Sequence, residues 1–532
     1  MKLSRLILFL AVADCASASD LDTIGLTLLR QFDPSLNGAG IPVAQPEAPD
    51  TGGGNDFEIN PASVGQPANL FTWYNSIGTS ANTFPNSVGT EPASKHGDVV
   101  GSNFYGITNG AATNVSHLYN YNANYFLNAS IAVGSPVTPA RVVNQSFTLG
   151  SVNTTVDQDY DNYAATHNTV FVSGAEGNAA TFTGPIYTPA NCFNGIAAGI
   201  YNNPYTGLGP TTDGRCKPDL ISPDAAQSPG SAVSYSTAYV SATAAILLQA
   251  AVRNDGGAGT ASSATNLATI KALLLNGAFK PSGWTNGPTR PLDARYGAGV
   301  VNAFNSWNLL RGGKHPFIET TTNTPGTTHP PGANPANEAA LAGWDYNSLT
   351  TSGSGASMKE VVNHYYFNLP PTNGGPYTLT ATVAWNRQSG KTTVNDLNLF
   401  LFNTANSNLV LASTSAVDNV EHLFVPVLPS GRYDLQVQKS TNTFVTAGES
   451  YGLAFDFLSL RLNVARTNGN LVLSWPVVPT GFTLLSAASL NPPVIWSAVA
   501  APVTVNTNSR LNSVTVPATG GAQFFRLQAP WP

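Results

Sequence analysis

Charge is what this 532-residue chain has least of: 23 Lys and Arg and 29 Asp and Glu make up 10% of it, for a formal net charge of −6. A surface so short of cations excludes a basic footprint for nucleic acid. The 49 Gly and 38 Pro residues, with plentiful Asn, Ser and Thr, fit a loop-rich extracellular protein instead. Cysteine is equally rare. Cys15 follows Asp14 near the start, a poor match to a lipid-acylation site, which leaves Cys192 and Cys216. Two cysteines without further ligands do not make a metal site; in an exported chain they are expected to pair, two free thiols being the other reading. Long apolar runs are missing beyond the first residues, so a soluble mature chain without membrane insertion is expected.

The opening MKLSRLILFLAVADCASASD has two basic residues, an apolar run and a small-residue end at Ala16-Ser17-Ala18. It reads as a secretory signal over residues 1–18, which predicts a secreted or extracellular location, the periplasm included. About twenty residues separate it from Gly38, too few for a separate propeptide.

Over residues 22–315, apolar strand-like runs (41–44, 141–147, 169–173, 195–200) alternate with helical patterns at 156–168, 240–253 and 267–276. That alternation predicts an α/β unit with a mostly parallel sheet covered by helices on both faces. Residues 316–344, rich in Thr, Pro and Gly, read as a linker. Short strands at 377–385, 397–402, 408–413, 433–437 and 451–455 then predict a β-sandwich over 345–457. A smaller all-β unit is expected over 461–532, with an Asn468-Gly469 hairpin and a core of Trp475, Trp496, Phe524 and Phe525.

Three residues suggest chemistry. Ser234, in Gly230-Ser-Ala-Val-Ser-Tyr-Ser-Thr-Ala-Tyr-Val240, stands at the mouth of an apolar helix, where a helix N-terminus and a nearby base make a nucleophile. A helix cap is its alternative role. His96, in Lys-His-Gly-Asp-Val-Val-Gly, stands at a helix start and can serve as the base, or be an ordinary surface or core histidine. Glu47 follows a short buried-type strand, where open α/β sheets place functional groups; Asp50, three residues on, could replace it.

These segments together resemble the subtilisin-like serine peptidases, the subtilase family, over most of residues 22–315. His96-Gly97 with Val100-Gly101 is similar to the family's histidine helix, Asn144-Gln145-Ser146-Phe147 to the strand lining the substrate cleft, and Gly177-Asn178 to its oxyanion segment. Gly214-Arg-Cys-Lys-Pro-Asp-Leu220 resembles the run before the nucleophile, Ala232-Val233-Ser234 occupies the Gly-Thr-Ser position, and Tyr296-Gly-Ala-Gly-Val-Val-Asn-Ala303 resembles the closing motif. The order acid, histidine, serine also agrees.

The resemblance implies a secreted serine endopeptidase acting on polypeptides through an acyl-enzyme, without a cofactor. Its triad is Glu47, His96 and Ser234; its oxyanion donors are Asn178 and the Ser234 backbone N–H, and Ser146 and Phe147 contact substrate. The departures are Glu47 where the family normally has Asp, Ala232 and Val233 for Gly and Thr, and Ala238 for the following Pro. They keep open an alternative, a catalytically impaired subtilase-fold protein that binds extracellular polypeptide. Residues 345–457 resemble the β-sandwiches that follow many secreted subtilases. There Asp396, Asp418 and Glu421 could hold a structural calcium ion, or be solvated loop acids. The sequence does not define an oligomeric state.

Overall fold

In the computed structural model the described residues are 19–50, 56–85, 94–176, 185–201, 206–224, 233–318, 328, 330, 332, 335–351, 361–371, 376–440, 445–459, 461–477, 480–518 and 521–528. The signal-like segment 1–18, Gly177-Asn178, Gly230–Ala232 and most of 319–334 lie outside them.

Eight strands make one sheet: β1 (Pro42–Glu47), β2 (Phe71–Tyr74), β3 (Ser80–Ala81), β4 (His117–Asn122), β5 (Val142–Gln145), β6 (Val170–Gly174), β7 (Ile196–Ile200) and β8 (Leu220–Ser222). Their order is β3-β2-β4-β1-β5-β6-β7-β8. Every pairing is parallel except β2 with β3. β5 to β8 are buried along their whole length, which requires cover on both faces. Side chains three apart on a strand point to opposite faces. Accordingly Phe171 of β6 meets Tyr160 and Tyr163 of the helix Thr154–His167, whereas Gly174 faces Val233 of the helix Val233–Val252.

That second helix is long and apolar enough to cross a bilayer by composition, yet 94% of its most apolar window is buried in the protein. A helix apolar all round belongs in a core, and this one packs on β5, β6, β7 and β8. It starts seven residues before the expected 240, so Ser234 lies within its first turn.

Two further four-stranded sheets follow, built from β9 (Ala342–Thr350), β10 (Val361–Leu369), β11 (Tyr377–Trp385), β12 (Leu397–Asn403), β13 (Asn408–Ser413), β14 (Val420–Leu428), β15 (Gly431–Lys439) and β16 (Gly448–Ser459). Their orders are β10-β15-β12-β13 and β14-β11-β16-β9, all antiparallel, around a shared core that includes Leu379, Val383, Trp385, Leu399, Leu435 and Phe455. The last residues form a four-stranded and a three-stranded sheet. Asn468 and Gly469 make the expected hairpin, with positive φ of 48° and 78°. Trp475 fills the small core there, but Trp496 is half-buried beneath the Arg526 guanidinium, 4.4 Å from its ring centroid.

The expected disulfide is not formed: Cys192 and Cys216 are free, buried thiols. Their surroundings differ. Cys192 Sγ packs against Gly195, whereas the Cys216 backbone N–H donates to Asp418 Oδ1 at 2.7 Å. Burial pushes both thiols up to about 12, so each remains protonated and inert. The three acids considered for calcium are not solvated either. Glu421 accepts from the Ser415 N–H (2.5 Å) and the Ser413 hydroxyl, Asp418 from Cys216 and the Ser415 hydroxyl (2.7 Å), and Asp396 from Asn398 (3.2 Å).

The sandwich is locked to the parallel-sheet unit through buried polar contacts. Asp161 pairs with Arg387 at 2.6 Å, and both are buried. The Arg387 N–H donates to Asn194 Oδ1 (2.7 Å), and Asn419 donates to the Phe193 carbonyl (3.0 Å). Phe193 itself lies between two guanidinium groups, Arg215 at 3.7 Å and Arg387 at 4.9 Å. Arg387→Ala leaves Asp161 as an uncompensated buried charge. The expected loss is about 3–5 kcal/mol of stability, read from the denaturant midpoint by fluorescence.

Candidate active site

The carboxyl ends of β1, β5 and β6 carry the groups singled out by the sequence, as open parallel sheets place their functional residues. Glu47 is the last residue of β1 itself, because the strand runs further than the expected 41–44. Its side chain is 1% exposed, and its Oε2 lies 2.9 Å from Nδ1 of His96.

His96 stands in the first turn of the helix Lys95–Phe104, whose start is fixed by two caps. Ser94 Oγ accepts from the Gly97 N–H at 2.8 Å, and Asp50 Oδ2 accepts from the Lys95 N–H at 2.8 Å while its Oδ1 accepts from Ser94 Oγ at 3.0 Å. Asp50 therefore holds the helix end, and Glu47 holds the imidazole. Burial works against a charged imidazole here, but it is outweighed by the Glu47 carboxylate, with Asp50 and Glu176 adding to it, and His96 is raised to about 8. One edge of the ring remains reachable, since the side chain is 33% exposed.

Ser234, 4% exposed, enters from the opposite side on the N-terminal turn of the helix Val233–Val252, which packs on the histidine helix. Its position is tied to β5 by a chain of short contacts. Ser241 Oγ donates to Asn144 Oδ1 (2.9 Å), Asn144 Nδ2 donates to Ser146 Oγ (2.9 Å), and Ser146 Oγ donates to the Ser234 carbonyl (3.0 Å). The Ser234 hydroxyl points to the Ser146 carbonyl at 3.4 Å, and among the described residues no hydrogen bond joins it to His96. Ser146 is thus buried between β5 and the helix, and Phe147 beside it is half-buried. Asn178 lies outside the described residues.

Gln45, Tyr105 and Ser241 of this constellation were not singled out from the sequence, and Asn144 was noted there only as part of the cleft-lining run. Gln45 donates to Glu47 Oε1 at 2.7 Å, and Tyr105 donates to Gln45 Oε1 at 2.7 Å. Asn144 and Ser241 are the links just described. Gln45 had a visible signal: it is a polar residue two positions before Glu47 in an apolar strand, so both side chains share one face. Glu176, just past β6, is the remaining charge near His96; burial raises its carboxyl while His96 pulls it down.

Behind the site, Asp219 is buried between Lys217 (2.5 Å) and Lys271 (3.1 Å) and accepts from the Ala197 N–H at 2.7 Å. The closing motif docks on the same residue, its Ala298 N–H donating to the Asp219 carbonyl at 2.8 Å. The segments 214–220 and 296–303 therefore meet at the amino end of β8.

Residues 89–299 match the subtilase family of peptidases, a span that holds His96, Ser146 and Ser234 but begins after Glu47. No curated protein matches the chain. Among solved structures, the prenylagaramide maturation protease PagA shares 18% identity, covering 55% of this chain and 99% of its own, with a TM-score of 0.37. The patellamide maturation protease PatG shares 14% over 56% of this chain and 99% of its own, with a TM-score of 0.40. Tripeptidyl peptidase 2 shares 11% over 74% of this chain and 43% of its own, with a TM-score of 0.31. The family match covers less than half of the chain, but it spans the helices and strands that carry His96, Ser146 and Ser234, so this part of the chain is similar to the subtilase family, with antiparallel β-sheets after the parallel one.

Proposed function

We propose that the chain is a secreted serine endopeptidase that hydrolyses peptide bonds through an acyl-enzyme, with Ser234 as nucleophile, His96 as general base and acid, and Glu47 as the carboxylate that orients His96. The observation that carries this reading is the buried 2.9 Å contact between Glu47 and His96 Nδ1, because it leaves Nε2 free for a proton from serine. Ser234 Oγ attacks the scissile carbonyl as its proton passes to Nε2. The tetrahedral oxyanion is met by the Ser234 N–H at the helix start and by the Asn178 side chain. Collapse expels the amine, which takes the proton from His96; water then enters by the reverse steps and frees the acid. The Ser234 hydroxyl points to the Ser146 carbonyl here, and catalytic hydrogen bonds to the base commonly form or tighten only when substrate is bound. Residues 1–18 support export as a signal, and polypeptide is the substrate class that the family match favours.

The first test is hydrolysis of unfolded casein. Wild type is expected to cleave it and Ser234→Ala to lose that activity; a folded, inactive wild type would favour the polypeptide-binding alternative. His96 must be neutral to accept the serine proton, so a base raised to about 8 sets the sign of the pH response. kcat/KM should climb through pH 8 and fall about tenfold per unit well below it, and a flat profile from pH 6 to 9 would remove His96 from the role. Glu47→Gln keeps the size but not the charge. It should move the acid limb to lower pH and reduce kcat by up to about 10⁴-fold, measured at the wild-type optimum.

A further inference from the structure

We infer that Gln45 and Tyr105 form a positioning device that lets a glutamate orient His96 where the family normally carries the shorter aspartate. The inference rests on the triad proposed above. Glutamate has one more rotatable bond than aspartate, and a carboxylate that binds the imidazole through one oxygen can swing about it unless the other oxygen is held as well. That second oxygen, Glu47 Oε1, receives the Gln45 amide at 2.7 Å.

The direction of the Gln45 amide follows from chemistry. One side of it faces Glu47 Oε1 at 2.7 Å and the Gly97 carbonyl at 3.0 Å, both of which only accept, so that side is the NH2 group. Its oxygen then faces Tyr105, whose hydroxyl donates at 2.7 Å. Gln45, Glu47 and Tyr105 are all fully buried, so no water competes for these bonds. Burial, with the Glu47 charge adding to it, pushes the Tyr105 phenol well above its ordinary range and keeps it a donor.

The arrangement closes on itself. Tyr105 follows directly on the helix Lys95–Phe104 that carries His96 in its first turn. Its hydroxyl reaches Gln45 by passing over Gly101, where an added Cβ would lie 2.6 Å from that oxygen. The path from His96 along the helix to Tyr105, across Gln45 to Glu47 and back to His96 is therefore one ring that joins β1 to the histidine helix. A carboxylate in that ring has one position.

The test compares Gln45→Leu, Tyr105→Phe and the double variant with wild type, using kcat, KM, the acid limb of kcat/KM, and the low-field proton resonance of His96 Nδ1–H. Gln45→Leu should lower kcat by about 10-fold to 10²-fold with KM little changed, shift the acid limb, and broaden or move the Nδ1 resonance. Tyr105→Phe should give a smaller loss of the same kind. Because Tyr105 acts through Gln45, the double variant should lose no more than Gln45→Leu alone, a coupling that two independent packing defects would not show. Unchanged kcat, acid limb and Nδ1 resonance in a folded Gln45→Leu would overturn the inference, as would the same result in Tyr105→Phe if Gln45→Leu does not fold. An inactive wild type would count against the triad reading alone, since the Nδ1 resonance still reports whether Gln45 and Tyr105 hold the Glu47–His96 pair.

Discussion

Taking a carboxylate out of water costs several kcal/mol unless protein donors replace the solvent, and the position of Glu47 is set by that requirement. One of its oxygens takes the Gln45 amide and the other the imidazole of His96. Gln45 in turn is answered by Tyr105 and the Gly97 carbonyl. The need to satisfy both oxygens adds to the Asp50 and Ser94 caps and to packing on the helix Val233–Val252 in fixing how the histidine helix meets β1. With the requirement in place, the register of the parallel sheet does the rest: β1 pairs with β5 and β5 with β6, so Glu47, Ser146 and Glu176 come to one end of the sheet.

The same logic explains where a chain so poor in charge spends it. Asp219 is neutralised by Lys217 and Lys271, Asp161 by Arg387, and His364 meets Asp434 at 2.8 Å, all in the interior. Apart from Lys217 with Asp219, two residues apart, each pair bridges segments remote in sequence. Lys271 also donates to the Phe193 and Gly195 carbonyls (2.9 and 3.0 Å), and Phe193 is the ring on which the sandwich places Arg387. The buried charges at the amino ends of β7 and β8 are thus continuous with the contact that holds the sandwich. Buried pairs of this kind are poor sources of stability compared with apolar packing, but they penalise any misplaced partner.

How much of this could be read in the sequence follows from the same chemistry. Of the parallel strands, β1, β5, β6 and β7 were legible from their apolar runs, whereas β2, β4 and β8 were not expected, β4 because polar His117, Asn120 and Asn122 interrupt it; β11 and β13 were legible because their ends are marked by turn residues. β9 and β10 were not, and a boundary at 345 cuts β9. β10 carries Asn363 and His364 in its buried stretch, so its pattern neither alternates nor stays apolar; Asn363 is answered by the Tyr451 hydroxyl at 2.7 Å and His364 by Asp434, partners no local window contains. The acid and histidine of the site were visible from their motifs. Gln45 carried a signal as a polar residue sharing a face with Glu47, but its pairing with Tyr105 spans 60 residues and lies in no local window. The cysteines misled because pairing was argued from export and number, whereas their burial beside different partners follows only from the fold.

The departures around Ser234 can now be weighed by what they touch. Val233, where the family has threonine, places a methyl group against Gly174 on β6, only 3.0 Å from where a Cβ would stand there. Glycine at 174 therefore absorbs the branched side chain without displacing the helix. The hydroxyl of Thr237, one turn later, donates to the Val233 carbonyl at 2.8 Å, and Ser236 does the same at 2.9 Å, while Ala238 brings a backbone N–H that the family's proline lacks. Ser146 then anchors the Ser234 carbonyl from the cleft side. What the substitutions alter is packing behind Ser234, and that packing is filled. Among the described residues the hydroxyl itself has one weak acceptor, the Ser146 carbonyl at 3.4 Å.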